Sequence, residues 1–371
     1  DGKPYDVDSL SLAGTAVGAF NDKDVPDATS VAFSGLSLTG TGSGNYSLTN
    51  HADASHTISV KPVTVSGLTS SDKTYDGTTN ATVGGTASLQ SAISAGTGSA
   101  SDGKPYDVDS LSLAGTAVGA FNDKDVSDAT KVVFSGLSLT GTGEENYSFT
   151  NHPDASHSVN TKEVSLSGSK TYDGGVDLMG AVSLLTGVGS ETLSYSGASA
   201  SAKDVTVSNK YIDAITLVDA TDGSGGLASN DHLPVLDSSK APVTISQKTV
   251  SLSGSKIYDG GVDLTGAVSL LTGVGSETLS YSGATSSAKD VTVSNKYIDA
   301  ITLVDATDGS GGLASNYQLP SLDVLNAAVT INAKTVGLSA SRLYDGGVNL
   351  TGSDVSISTG VGSETLSYSG A

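Results

Sequence analysis

The chain repeats itself twice over. Residues 1–61 match residues 102–162 at 50 of 61 positions, and the first 25 are identical. Residues 163–248 match residues 249–334 at 72 of 86 positions, and residues 335–371 open a further copy of that second type. A fixed internal period is the strongest constraint a sequence can place on its fold, because every copy must close its own core in the same way. Units of 101 and 86 residues are too long for the coils of a solenoid and suit small domains. The division is therefore a partial module at 1–61, complete modules at 62–162, 163–248 and 249–334, and a partial module at 335–371.

The two types share a skeleton. A Tyr-Asp-Gly stands near each module's start: Tyr75-Asp76-Gly77, Tyr172-Asp173-Gly174, Tyr258-Asp259-Gly260 and Tyr344-Asp345-Gly346. A Lys-Asp-Val follows, beginning at Lys23, Lys124, Lys203 and Lys289. Then comes Asn with an aromatic, at Asn45-Tyr46, Asn146-Tyr147 and Asn316-Tyr317, a pattern that Asn230-Asp231 breaks. Each unit closes on an alternating segment ending in Lys, as in residues 241–248. For Tyr-Asp-Gly the structural expectation is a buried ring followed by a tight turn, with Gly supplying the positive φ.

Period-2 alternation runs throughout, as in Val63/Val65, Leu137/Leu139, Leu193/Tyr195, Ile215/Leu217 and Val243/Ile245. Apolar residues on one face and Ser or Thr on the other mark half-buried strands. Glycine-rich breaks such as 222–226 separate them. Gly is 46 of 371 residues, and Asp far outnumbers Glu among 39 acidic residues, a composition of turns and strands rather than helices. The expected fold is all-β: a tandem array of small β-sandwich or β-grasp-like modules, with barrel-like closure also open. Residues 176–186 read as either one helical turn or a strand, with strand favoured. The connections between modules are short, so the array is expected to form an elongated, semi-rigid rod.

Net charge is −21. No basic stripe exists to neutralise phosphates, which argues against nucleic-acid partners, and the acidic balance argues against anionic membranes. There is no cysteine, hence no disulfide framework or thiol chemistry. No apolar run reaches the ~18 residues of a membrane span, so no membrane insertion is expected. No signal peptide is visible. The chain starts and stops inside repeats, so the natural termini are expected elsewhere. Two arrangements stay open. The segment is a window on a longer rod, or the opening portion 335–371 of one copy completes the remainder 1–61 of another, head to tail in a filament. Partners are then neighbouring modules, other copies, and a host or matrix surface reached through regions outside this segment.

Candidate chemistry is sparse. Asp219 and Asp222, repeated as Asp305 and Asp308, stand in Gly-rich loops where carboxylates three apart offer oxygen ligands to Ca²⁺; the competing reading is a solvated turn, since the longer ligand register of a Ca²⁺ loop is missing. No other cofactor is expected. His51, Asp53 and His56, repeated as His152, Asp154 and His157, are zinc-ligand types without a fourth member. Lys203 with Glu191, repeated as Lys289 with Glu277, are the types an intramolecular isopeptide bond would need. No nucleophile triad, phosphate loop or paired-carboxylate site can be assembled, and duplication of whole modules argues for length rather than catalysis. The chain is not expected to be an enzyme.

The order Lys-x-Tyr-Asp-Gly, Phe-x-Asp-Lys-Asp-Val, Ser-Gly-Leu-x-Leu-x-Gly, Asn-Tyr resembles the YDG-type repeats of the broader MBG group. The match is fullest over 73–162, through Tyr75, Asp76, Gly77, Phe121, Lys124, Val126, Gly136, Asn146 and Tyr147. The 86-residue modules depart from it, with Ser-Ala before Lys203-Asp204-Val205. Such modules occur in very large bacterial adhesins similar in architecture to filamentous-haemagglutinin-type, two-partner-secreted proteins. The resemblance implies an extracellular, secreted or cell-surface stalk or fibre serving adhesion or biofilm matrix, and supplies no catalytic residues. The alternative from another class is lectin-like modules that bind glycans, which the absence of Trp and the 5 % aromatic content disfavour.

Overall fold

In the opening strand of the 163–248 module, Ser165-Leu166-Ser167-Gly168, the apolar position is buried and the serines are exposed. This half-buried strand is the centre of its module. It is described in a computed structural model covering residues 3–49 and 54–369. The chain forms two compact units, Asp1–Lys162 and Glu163–Ala371. Among the described residues all regular structure is β apart from single 3-10 turns such as Ala228–Asn230 and Ala314–Asn316. Among the described residues every sheet has two or three strands and none closes into a barrel.

In the second unit the central strand Ser165–Thr171 pairs antiparallel with Val182–Leu185 on one edge and parallel with the closing strand Val243–Ser246 on the other. The next module repeats this with Ser251–Ile257, Val268–Leu271 and Val329–Asn332. First and last strands side by side mean that a module's sheet is complete only when its end returns to its beginning. A bulged hairpin follows the turn in each, Ser194–Ala200 with Ile212–Val218 and Ser280–Ser286 with Ile298–Val304. Leu178, Ile212, Val243 and Ile245, and their counterparts Leu264, Ile298, Val329 and Ile331, form the buried cluster. The stretch 176–186 is a turn followed by strand at 182–185.

In the first unit the opening stretch is split. Lys61–Thr69 pairs antiparallel with Gly84–Leu89 and parallel with Tyr147–Thr150, and Lys73–Thr74 pairs parallel with Val159–Asn160. The hairpin is longer, Ser110–Phe121 against Val132–Thr142, with a register shift between Gly115 and Val118. Gly115 has φ +92°, and a β-carbon there would lie 2.2 Å from the Gly136 carbonyl oxygen, so the bulge requires glycine. Residues 9–20 and 30–41 repeat this hairpin. Its apolar positions Leu12, Val17 and Phe20 are exposed.

The division between the two units falls at Lys162/Glu163. Lys61 and Lys248, expected to end the closing strands, instead begin the strands that follow, opposite Tyr147 and Tyr317. The buried Lys61 Nζ donates to Asp102 Oδ1 at 2.5 Å and to the Ser99 carbonyl at 2.8 Å. The ammonium finds both partners in the following module, so it belongs there.

Candidate functional site

Each Tyr-Asp-Gly is set by an internal clamp. Asp173 Oδ1 accepts from Lys170 Nζ at 2.7 Å and from the Gly175 amide at 3.0 Å, while Lys170 Nζ also donates to the Gly175 and Asp177 carbonyls. Lys256 and Asp259 repeat this arrangement, and Lys73 and Asp76 build a close variant. In the last copy Arg342 replaces the lysine, 2.8 Å from Asp345. Gly77, Gly174, Gly260 and Gly346 all have φ between 76° and 85°, the left-handed region that the turn requires. A carboxylate binding the amide two residues on is the usual chemistry of Asp in turns.

The clamp sets the turn, and the four tyrosine rings differ in fate. Tyr75 and Tyr172 are each 1 % exposed, Tyr258 is half-buried and Tyr344 is 97 % exposed. The Tyr172 hydroxyl is engaged from the following repeat. It donates to Glu277 Oε1 at 2.8 Å and accepts from Lys203 Nζ at 3.1 Å. Glu277 belongs to the following module. It also accepts from the Tyr317 hydroxyl at 2.6 Å, and the rings of Tyr172 and Tyr317 meet edge to face at 5.4 Å. Lys203 lies 5.4 Å over the Tyr172 ring centre. The Tyr-Asp-Gly and Lys-Asp-Val elements of one module thus converge on the Glu and Asn-Tyr of the next. In the following pair Tyr258 donates to Glu364 at 2.5 Å.

Asn316 completes this joint. Its Oδ1 accepts the Val205 amide at 2.8 Å and its Nδ2 donates to Asp204 Oδ1 at 2.8 Å, and the residue is wholly buried. The same pair of bonds recurs in the first unit, where Asn146 accepts from the Val25 amide at 2.7 Å and donates to Asp24 at 2.8 Å. There Tyr147 donates to Asp109 at 2.7 Å, as Tyr317 does to Glu277.

The electrostatics follow from this geometry. Burial, reinforced by the bond to Glu277, raises the Tyr317 phenol, and burial likewise raises Tyr172. Tyr147 is pushed up to about 12 by burial and by Asp109. The Tyr172 hydroxyl raises Lys203, against burial and with help from Asp204. Burial works against the Asp204 carboxylate, but Asn316 and Lys203 outweigh it and hold the group below the usual range. The joint is a charged Lys–Asp–Glu set bridged by neutral donors, each satisfied.

The structure gives the other candidates different work. Asp222 accepts from the Thr192 hydroxyl at 2.7 Å and the Ser224 amide at 3.0 Å, and these bonds hold it down to about 2. Asp308 does the same with Thr278 and Ser310. Asp219 and Asp305 accept the Ala228 and Ala314 amides. Among the described residues no group of three or more His, Cys, Asp or Glu is placed to hold a metal. His51 and Asp53 lie outside the described residues. In the second copy His152 packs edge-on against Phe134, Asp154 pairs with Lys131, and His157 meets Asp72, three separate neighbourhoods. Lys203 lies 4.0 Å from Glu277 of the next module and stays an ammonium engaged by hydroxyl and carboxylate.

Sequence reasoning put Glu277 with Lys289 as an isopeptide candidate and the two asparagines in a recurring motif, but did not bring them together, and it passed over Glu364. The signal was there: a chain so rich in Asp puts Glu191, Glu277 and Glu364 in the same Gly-Ser-Glu-Thr-Leu context each time.

Residues 59–157 match the YDG domain family, so a YDG domain occupies that stretch. No curated protein and no solved structure matches the chain. Among the described residues no helix is long and apolar enough to cross a membrane.

Proposed function

We propose that this chain is a spacer: the repeat region of a stalk or fibre belonging to a large secreted or surface-bound bacterial adhesin. The observation that supports it is the joint. Recurring side chains are used between repeats, Tyr172 with Glu277 and Asp204 with Asn316, and not in a concave site within one. A repeat whose recurring residues fix its neighbour transmits orientation along an array. On this reading the 86-residue modules are YDG-like as well, and successive small β modules of sandwich or grasp type extend into a semi-rigid rod.

A glycan-binding role would need tyrosines offered to solvent; Tyr75, Tyr172 and Tyr317 are buried, and the strongly exposed Tyr5 and Tyr344 lie in the partial repeats. Small-angle scattering of the 371-residue chain tests the spacer directly. An elongated particle with a maximum dimension well above that of a sphere of equal mass is expected. A compact particle would overturn the reading.

A further inference from the structure

The first and last strands of each complete module lie side by side and run the same way. In residues 163–248 the opening strand Ser165–Thr171 and the closing strand Val243–Ser246 are parallel neighbours, with Gly168 opposite Val243 and Thr171 opposite Ser246. The ladder is bounded by the Gly168 amide on the Pro242 carbonyl at 2.9 Å and the Tyr172 amide on the Ser246 carbonyl at 2.8 Å. Residues 249–334 repeat both rungs, Gly254 to Ala328 at 2.9 Å and Tyr258 to Asn332 at 2.9 Å, over the corresponding register.

The longer module type reaches the same arrangement in other proportions. There residues 61–64 run parallel to Tyr147–Thr150 over four pairs, and Lys73–Thr74 to Val159–Asn160 over two. The Tyr75 amide on the Asn160 carbonyl at 2.8 Å closes the tie. In residues 249–334 the proportions are reversed. Two pairs join Lys248–Thr249 to Tyr317–Gln318, and four join the opening strand to Val329–Asn332. Hairpin length differs between the types, but the parallel tie between opening and closing segments does not.

Parallel pairing decides how a pull on the chain is borne. Tension enters a module through its opening strand, directed toward the N-terminus, and leaves through its closing strand, directed toward the C-terminus. With the two strands parallel and adjacent, these pulls slide one along the other, and the evenly spaced bonds of a parallel ladder are stretched together. Antiparallel terminal strands would take both pulls at one end and open their bonds one at a time. The hairpin Ser194–Ala200 with Ile212–Val218 lies outside this path and carries no tension until the ladder parts.

The Tyr-Asp-Gly turn stands at the far end of the ladder. Sliding the opening strand toward its N-terminus drags the Tyr172 ring, 1 % exposed, out of its packing against Tyr317. The turn behind that ring is held closed by Lys170 and Asp173. On the closing strand Val243 and Ile245 are anchored in the buried cluster. The opening strand is thus stopped at its end as well as bonded along its length.

We propose that each complete module is a tension clamp, a unit whose first and last strands form a parallel ladder loaded in shear, so that the chain bears a pull along its length without its modules opening. The clamp is a property of each module by itself. Its use under load rests on the spacer reading.

Single-molecule pulling of the 371-residue chain is the test. The chain has no cysteine, so a pair of introduced cysteines, coupled to handles under reducing conditions, sets the direction of the pull. Ser165→Cys with Ser246→Cys slides the two strands along each other. Thr171→Cys with Ser246→Cys, at positions opposite one another in the ladder, peels them apart from one end. All three positions are exposed, so the substitutions leave the fold intact, and the two chains are expected to share one denaturant midpoint. Each rupture should release roughly 25–30 nm of chain, at about 3.3–3.6 Å per extended residue. At equal loading rate the sliding pair is expected to rupture at a force at least about twofold above the peeling pair, since forced unfolding is governed by the unfolding rate along the pull and not by stability. Ser251→Cys or Ile257→Cys, each with Asn332→Cys, should show the same contrast in residues 249–334. Equal forces in the two geometries overturn the clamp and leave the spacer standing. Unequal forces together with a compact particle in small-angle scattering do the reverse.

Discussion

Asn316 is the reciprocal cap of Asp204: one amide group donates to the carboxylate at 2.8 Å and accepts the following Val205 amide at 2.8 Å. The two residues belong to different modules, and Asn316 is fully buried. Asn316→Ala leaves the Val205 amide without its acceptor and takes from Asp204 one of its donors, Lys203 being another; an orphaned buried group costs about 1–3 kcal/mol. The urea midpoint of the second unit should fall accordingly. Asn316→Asp should be worse at neutral pH, since it sets a second carboxylate against Asp204. Equal stability of Asn316→Ala and the parent chain would remove Asn316 from the joint.

Gly115 gives a prediction about the long hairpins. Its φ is +92° and a β-carbon would sit 2.2 Å from the Gly136 carbonyl oxygen. Gly115→Ala must distort the bulge or break the pairing, at a cost of about 1–3 kcal/mol. Substitution of the neighbouring exposed Thr116 by Ser should change stability by less than about 0.5 kcal/mol. Thermal melts of the two variants make the comparison.

The pH dependence has a sign at each end. Tyr147 is raised to about 12 by burial and Asp109, so the folded state favours the neutral phenol. Stability from this group is complete below about pH 10, the ordinary phenol value, and is lost as pH rises toward 12. Tyr147→Phe should flatten that slope. At the acid end Asp102 is held down to about 2, first by Lys61 and then by the Lys104 amide. Its contribution is present above about pH 4 and disappears as pH falls toward 2. Denaturant midpoints measured from pH 2 to 12 check both windows.

For the Asp-rich loops, chelation is the discriminating experiment. The Asp222 oxygens already accept from Thr192 and Ser224, and Asp219 accepts from Ala228. Removing divalent ions should leave the melting temperature unchanged, because a ligand stabilises only by binding the folded state. A fall in melting temperature on chelation, restored by Ca²⁺, would assign a metal to these loops.

The β architecture was legible in the sequence because its determinants are local. Alternation in Val63/Val65 and Val243/Ile245 sets which face is buried, and Asp173-Gly174 sets a turn within five residues. The joint was not legible in the same way. Tyr172 and Glu277 are 105 residues apart, and nothing local to either says that they meet. Lys61 is a related case: it sits at the end of an alternating run, but its ammonium partners lie in the repeat that follows. What the sequence did carry was repetition of Tyr-Asp-Gly and Lys-Asp-Val in the same order in both module types, with Gly-Ser-Glu recurring in the 86-residue type and Asn-Tyr in most copies. Repeated polar residues without a catalytic pattern mark surfaces that meet other copies of themselves. The Asp219 and Asp222 spacing suggested a metal because carboxylates three apart suit oxygen coordination, whereas hydroxyls and amides brought in from 30 residues away, such as Thr192, are invisible to a local reading.

The central claim is that recurring side chains of one module are energetically coupled to those of the next. A double-mutant cycle in the full chain with Tyr172→Phe and Glu277→Gln measures it most directly. If the joint is real, the two losses are non-additive, with a coupling of about 0.5–3 kcal/mol as found for residues in one hydrogen-bond network. If the losses add to within about 0.3 kcal/mol, as for distant independent sites, Tyr172 and Glu277 do not form a joint and the account of the repeats as interlocking modules is contradicted.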